Sequence, residues 1–210
     1  LLERNSAILF NLNSAETSEA IQQVTQQASP LLTKFQNDVR LNQVLFERIK
    51  KIYENTDTKN LSIEQQSLLE KEYKSFARNG ALLDENEKER LREIDTEKAL
   101  LSLNFGENVL ADTNAFELHI TEEKYLEGLP DQIKEMAAEL AQSKKITGWL
   151  FTLDYPSYVP LMTYAENREI RNKMSLAFGR RGFQDNDHNN TSIILRLIEL
   201  RKNRAKLLGY

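Results

Sequence analysis

The chain has 210 residues and a mass of 24.3 kDa, and its 28 Lys and Arg against 32 Asp and Glu give a net charge of −4. That balance argues against a dedicated nucleic-acid binder, and zero cysteines exclude a disulfide scaffold, a Cys-ligated metal site and thiol catalysis. Seven Gly and four Pro are too few for a low-complexity chain, and no apolar run approaches the ~18 residues that a membrane span requires.

No glycine occurs before Gly80, and Pro30 is the only proline before Pro130. A stretch so poor in breakers and rich in Leu, Glu, Lys, Gln and Ala predicts long helices. Residues 1–12 form a short first helix. Thr17 is placed to cap the next one, with Glu19 in its first turn. Apolar positions then run from Ile21 through Val24, Ala28, Leu32, Phe35 and Val39 to Ile49 and Tyr53, mostly at steps of three and four. Pro30 kinks this helix or starts a second one capped by Ser29.

Residues 54–60 make a polar connection. Ser62 with Gln65, and Asp84 with Glu87, have capping-box spacing and open two helices separated at Asn79-Gly80; together they predict a hairpin over residues 61–105, with Leu91, Ile94, Leu101 and Phe105 inward. Phe116-Glu117-Leu118-His119-Ile120 alternates strictly, and Trp149-Leu150-Phe151-Thr152-Leu153 is rich in strand formers; a helix opened by Pro130 lies between them. A turn follows over residues 155–160, then a helix through Phe178 that Gly179 and Gly182 end. A polar loop at residues 184–190 leads to a last helix, with Gly209 at its C′ position and Tyr210 as the cap contact. The fold class read from this is mainly α, a bundle of long antiparallel helices with a small two-stranded antiparallel sheet inserted.

The inventory for catalysis is thin. The two histidines, His119 and His188, belong to no His-Glu-x-x-His pattern, and neither a Gly-rich phosphate loop nor a Gly-x-Ser-x-Gly elbow is present. Asp185 and Asp187 beside His188 read as a solvated loop, and the acid pairs Glu87/Glu89, Glu122/Glu123 and Glu166/Glu169 as solvated helix faces. The basic run from Arg201 to Lys206 occupies the last turns of a helix, where cations complement the macrodipole. Tyr155, Tyr158 and Tyr164 offer phenols around an irregular turn; such groups line a peptide groove or anchor the turn against helices. On these grounds alone the chain reads as a helical domain without an active site, or as a free-standing interaction or scaffold domain that binds a partner helix.

Several segments resemble the N-terminal half of the thimet oligopeptidase family, closest to its peptidyl-dipeptidase branch. They are Phe10-Asn11-Leu12-Asn13-Ser14-Ala15-Glu16-Thr17, residues 31–53, Leu101-Ser102-Leu103-Asn104-Phe105-Gly106-Glu107-Asn108-Val109-Leu110, residues 154–171 and residues 195–210. The resemblance implies a parent zinc metallopeptidase that removes C-terminal dipeptides from short peptides, its metal held by a His-Glu-x-x-His helix and a downstream glutamate. None of those catalytic residues has a counterpart between Leu1 and Tyr210. The chain is therefore expected to be an N-terminal lobe, inactive alone, without zinc of its own, whose partners are short peptides and the missing C-terminal catalytic half, with neither nucleic acid nor membrane. Within it, residues 1–112 are expected as helical hairpins, 113–154 as a small αβ insertion and 155–210 as helices leading to the catalytic half. Tyr155, Tyr158 and Tyr164 are the substrate-groove candidates. The chain starts at Leu1 with no leader, and its true start is expected to have been removed; cytoplasm is favoured as compartment, with periplasm as the alternative.

Overall fold

The computed structural model describes residues 1–57 and 60–210; Thr58 and Lys59, in the expected connection at residues 54–60, lie outside the described residues. The described residues form two units, Leu1–Asn104 with Ile193–Tyr210, and Phe105–Ser192.

In the first unit α1 (Leu2–Ala15) packs on α2 (Glu19–Arg40), which is followed by α3 (Gln43–Asn55) and α4 (Ile63–Phe76). The cap of α2 is Ser18, whose Oγ accepts from the Ile21 N–H at 3.3 Å; Thr17 instead donates its hydroxyl to Asn13 Oδ1 at 3.1 Å. The helix neither restarts nor stops at Pro30 but runs for 22 residues. Its break comes at Asn42, whose Oδ1 accepts from the Leu45 N–H at 2.8 Å and starts α3. Proline removes one backbone bond from a helix interior, at roughly 3 kcal/mol; α2 nonetheless stays helical through Pro30 and packs against α1.

The apolar stripe of α2 is covered only in part. Its Ile21, Ala28 and Leu32 are half-buried, whereas Val24, Phe35 and Val39 are exposed, with Leu31 beside them on one arc of about 80° at 100° per residue, and the fully buried positions are Thr25, Ser29 and Asn37. Periodicity identifies an apolar face without saying what covers it, and no described element covers the exposed part of this one.

Helix α4 finds its partner in α3, not in the following helix as the expected hairpin required. Phe46 stacks on Tyr73 and Phe76 at 5.9 and 6.4 Å between centroids, and Tyr53 on Tyr73 at 4.2 Å. These offset rings supply the cohesion, with Phe46 and Phe76 almost fully buried. The Ser62–Gln65 capping box forms in both directions. The last turn of α4 widens over Ala77–Ala81, where Gly80 takes φ +101°. A Cβ there would lie 2.6 Å from Leu91 Cδ2 and 3.2 Å from Leu41 Cδ2, so both the conformation and the space require glycine.

The Asp84–Glu87 box then opens α5 (Glu85–Ala115), ten residues longer than the expected stop at Phe105, which is itself partly exposed. In its first turns Lys88, 1% exposed, donates to Gln43 Oε1 at 2.9 Å and Glu85 Oε1 at 3.0 Å, which satisfies a charge that burial alone would penalise. Helix α9 (Thr191–Leu207) is joined to α5 by a bidentate pair, Arg196 Nε and Nη2 to Glu97 at 2.6 and 2.8 Å. Its end is a Schellman motif: Gly209 at φ +82°, with the Tyr210 N–H on Ala205 O at 2.9 Å and the Gly209 N–H on Lys206 O at 3.2 Å.

In the second unit β1 (Leu118–Ile120) and β2 (Trp149–Phe151) pair antiparallel, Leu118 opposite Phe151 and Ile120 opposite Trp149. Helix α6 (Asp131–Ser143) packs on β2, and α7 (Tyr155–Tyr164) pairs with α8 (Arg168–Gly179). The core is Ile120, Leu126, Leu129, Phe151, Leu153, Leu161, Ile170 and Met174. No helix of the described residues is long and apolar enough to cross a membrane.

Pro30→Ala restores the missing backbone bond and is expected to stabilise the chain by up to about 3 kcal/mol, read as a higher thermal midpoint. Arg196 holds the Glu97 carboxyl below the usual glutamate value through its hydrogen bond. A depressed carboxyl contributes stability above its unfolded pKa and loses it as pH falls through the folded one. Glu97→Gln should therefore lower the midpoint slightly at neutral pH, with the difference shrinking as pH falls below the ordinary glutamate range and vanishing once the folded carboxyl is itself protonated, in melts recorded from neutral to strongly acidic pH.

Candidate functional site

The segment expected as an irregular turn at residues 155–160 is helical. Pro156 sits at the start of α7, where its missing N–H has no helical partner to lose, and Pro160 lies inside. The bond lost at Pro160 leaves only the carbonyl of exposed Pro156 to water. The start of α7 is fixed locally: the Thr152 N–H donates to Ser157 Oγ at 3.0 Å, and the Thr152 hydroxyl to Asp154 Oδ2 at 2.9 Å.

Helical spacing then sorts the three tyrosines. Tyr155 and Tyr158 share a face and converge on Phe178 of α8. Tyr158 stacks on that ring at 4.1 Å and 14°, and Tyr155 meets it edge-on at 6.3 Å and 85°. The Arg181 guanidinium lies 3.5 Å from the Phe178 centroid. Two groups so close over one ring must occupy opposite faces, so Phe178 is sandwiched between Tyr158 and Arg181, a cation–π contact on one side. Tyr164 stands about 180° around α7 from Tyr155 and is exposed; the structure does not bring it to the other two.

Arg181 is positioned by the polar loop that follows α8. Its Nε donates to Phe178 O at 2.9 Å and its Nη1 to Thr113 Oγ1 at 3.2 Å. Asp112, 3% exposed, accepts from the Gly182 N–H at 2.6 Å and Asn186 Nδ2 at 2.8 Å. Asn190, 1% exposed, accepts from Asn108 Nδ2 at 2.8 Å and donates to Phe105 O at 3.1 Å. The loop is thus anchored by buried hydrogen bonds that its polar composition did not reveal. An adjacent groove of about 480 Å³ runs between α6, β2 and the start of α7, lined by Ile133, Met136, Leu140, Phe151, Asp154 and Ser157.

A second concavity, in the first unit, was not anticipated. This cleft of about 860 Å³ draws Asn37 and Arg40 from α2, Leu45 and Ile49 from α3, Ser75 from α4, Asn79 from the widened turn, Asp95 and Lys98 from α5 and Arg204 from α9. Arg40 Nη1 donates to Ser75 Oγ at 3.0 Å and lies 3.8 Å from Glu72. Asp95 Oδ1 accepts from both Lys98 Nζ at 2.9 Å and Arg204 Nε at 2.8 Å. In sequence its one visible sign was the basic run containing Arg204.

Neither concavity offers a zinc site. Among the described residues no three His, Cys, Asp or Glu come together in a way that could hold a metal ion. His119 Nε2 is 2.7 Å from Thr147 O on the exposed side of β1, and the His188 N–H is bonded within its loop to Asn186 Oδ1.

No family model matches the chain. Individual relatives do, along all of it: a probable cytosolic oligopeptidase A of Arabidopsis thaliana at 35% identity, oligopeptidase A of Haemophilus influenzae at 31%, and dipeptidyl carboxypeptidase of Escherichia coli at 31%. In each case the whole chain is covered, but it spans about a third of the relative's length (31%).

Phe178→Ala removes the ring on which Tyr155, Tyr158 and Arg181 converge and should cost roughly 2–3 kcal/mol, less than for a fully buried phenylalanine. Tyr158→Phe keeps the stack and should be nearly neutral. Urea unfolding followed by the fluorescence of Trp149, the single tryptophan and a member of the same unit, measures both.

Proposed function

We propose, on the premise that the chain is a homologue of oligopeptidase A and dipeptidyl carboxypeptidase of the thimet oligopeptidase family, that it is the non-catalytic N-terminal lobe of a longer zinc metallopeptidase acting on short peptides. The observation that carries this reading is full coverage of the chain by relatives about three times its length. The zinc, its ligands and the general base then belong to the remainder of the protein, and no step of the hydrolysis is assigned to residues 1–210. The lobe's part is to wall the substrate channel. By narrowing access and excluding water around a bound peptide, it helps align the scissile bond without touching the metal.

Two features support that role. The exposed apolar face of α2 is a surface that the remainder of the protein would cover, since apolar patches of this kind mark interaction sites. The Tyr155–Tyr158–Phe178 cluster presents phenols on a rigid helix pair, suited to line a peptide groove; Tyr164, on the opposite side of α7, is proposed as a separate substrate-facing phenol. Relatives of both names match at similar identity, so dipeptide release from the C-terminus is proposed alongside internal cleavage of oligopeptides.

The test compares two proteins on an N-blocked tetrapeptide, with zinc supplied and products resolved by mass. The longer protein should release a C-terminal dipeptide or an internal fragment, and the 210-residue chain should release nothing. Zinc-dependent turnover by the purified chain alone would sink the proposal.

A further inference from the structure

The cleft of the first unit combines an unpartnered donor, surplus positive charge and an apolar lining. Asn37 is only 9% exposed and lines this cleft, yet among the described residues its Nδ2 has no hydrogen-bond partner. A buried donor left unpaired costs about 1–3 kcal/mol, so an acceptor entering the cleft recovers energy that the fold has forgone. Nearby, two cations lean on one carboxylate: Lys98 and Arg204 both reach Asp95. An adjoining cleft of about 440 Å³ shares Asn79, Lys98 and Arg204 and adds Arg78 and Arg201, with no acidic side chain in its described lining. In a chain of net charge −4 this is a local inversion of sign, and a concave site concentrates its field. Phe35, Val39, Leu45 and Ile49 line the same space.

We propose that this cleft binds a carboxylate carried by a short peptide. Lys98 and Arg204 take the charge, Asn37 Nδ2 donates to a carboxylate or peptide oxygen, and Leu45 and Ile49 of α3 receive a neighbouring apolar side chain. A volume of about 860 Å³ with a partly apolar lining suits a ligand of several residues better than a bare anion. That the ligand is a peptide rests on the peptidase reading above; that it is an anion rests on the cleft alone.

The test uses the full chain and, in parallel, the longer protein freed of zinc by chelation so that the probe is not cleaved; a chain which fails to fold alone then still leaves a measurement. The probe is acetyl-Glu-Leu-Phe with a free C-terminus, followed by calorimetry and by the side-chain amide signal of Asn37. Two further arms carry Gln in place of Glu, or a C-terminal amide; inorganic phosphate is the anion control. Saturable binding that moves the Asn37 signal is expected, weakened about tenfold in whichever arm removes the carboxylate that is read. Loss in the Gln arm assigns a side-chain carboxylate, and loss in the amide arm the C-terminus. Asn37→Leu is the discriminating variant: it relieves the unpaired donor, so the thermal midpoint should hold or rise while affinity falls several-fold to tenfold. Arg204→Gln should weaken binding by at least as much. Binding unchanged in Asn37→Leu, equal affinity in every arm, equal affinity for phosphate, or no binding at millimolar peptide overturns the proposal. None of these readouts involves hydrolysis, so failure here leaves the peptidase reading standing, and an inactive longer protein leaves this binding intact.

Discussion

One backbone position holds the first unit in register. At Gly80 the chain adopts a conformation closed to other residues, in a space already filled by Leu41, Leu83 and Leu91. Those contacts tie the end of α2, the turn after α4 and the start of α5 to a single point. The adjoining Asn79 donates to Ser75 O and accepts from Arg204 at 3.4 Å, and Ser75 in turn accepts from Arg40. A constraint of sterics thereby fixes the polar lining of the cleft. The leucines make the turn rigid, and the turn presents the amide that α9 reaches.

The second unit solves a similar problem with hydrogen bonds instead of a filled turn. Its loop after α8 has few apolar residues, so Asp112 and Asn190, both nearly fully buried, hold the Gly182 region to α5. Gly182 itself sits at φ +68°, and Asn190 Nδ2 lies only 2.5 Å from where a Cβ would be. Arg181, placed by this network, closes one face of Phe178 and leaves the other for Tyr158. The aromatic cluster depends on buried polar groups for its geometry, and each of those groups is satisfied, which is what makes such a network rigid.

Local chemistry was legible where a few neighbouring residues decide the outcome. The boxes at Ser62–Gln65 and Asp84–Glu87, the Schellman end at Gly209 and Tyr210, and the two short strands with a helix between them all form as their spacing indicates. Legibility failed where two local solutions compete. Thr17 and Ser18 are both cap residues, and the bond from Thr17 to Asn13 leaves the cap to Ser18. Of the two readings of Pro30 the uninterrupted helix forms, and Pro160, in a segment expected as a turn, sits inside a continuous helix. Of the candidate site residues, Tyr155 and Tyr158 were recognisable as phenols on one segment, but their shared ring, Phe178, lies 20 or more residues further on and carried no signal.

The sequence by itself determined most of the helices and their caps and the class of the fold, because propensity, capping and period act within a few residues along the chain. It also identified an apolar stripe on α2 without deciding its direction. Only the tertiary structure decided that Val24, Phe35 and Val39 of this stripe stay exposed while Thr25, Ser29 and Asn37 face in, that α4 pairs with α3, and that Asp95, Lys98 and Arg204 meet. Those outcomes depend on which surfaces are available to cover one another, a competition among distant segments that no local pattern records.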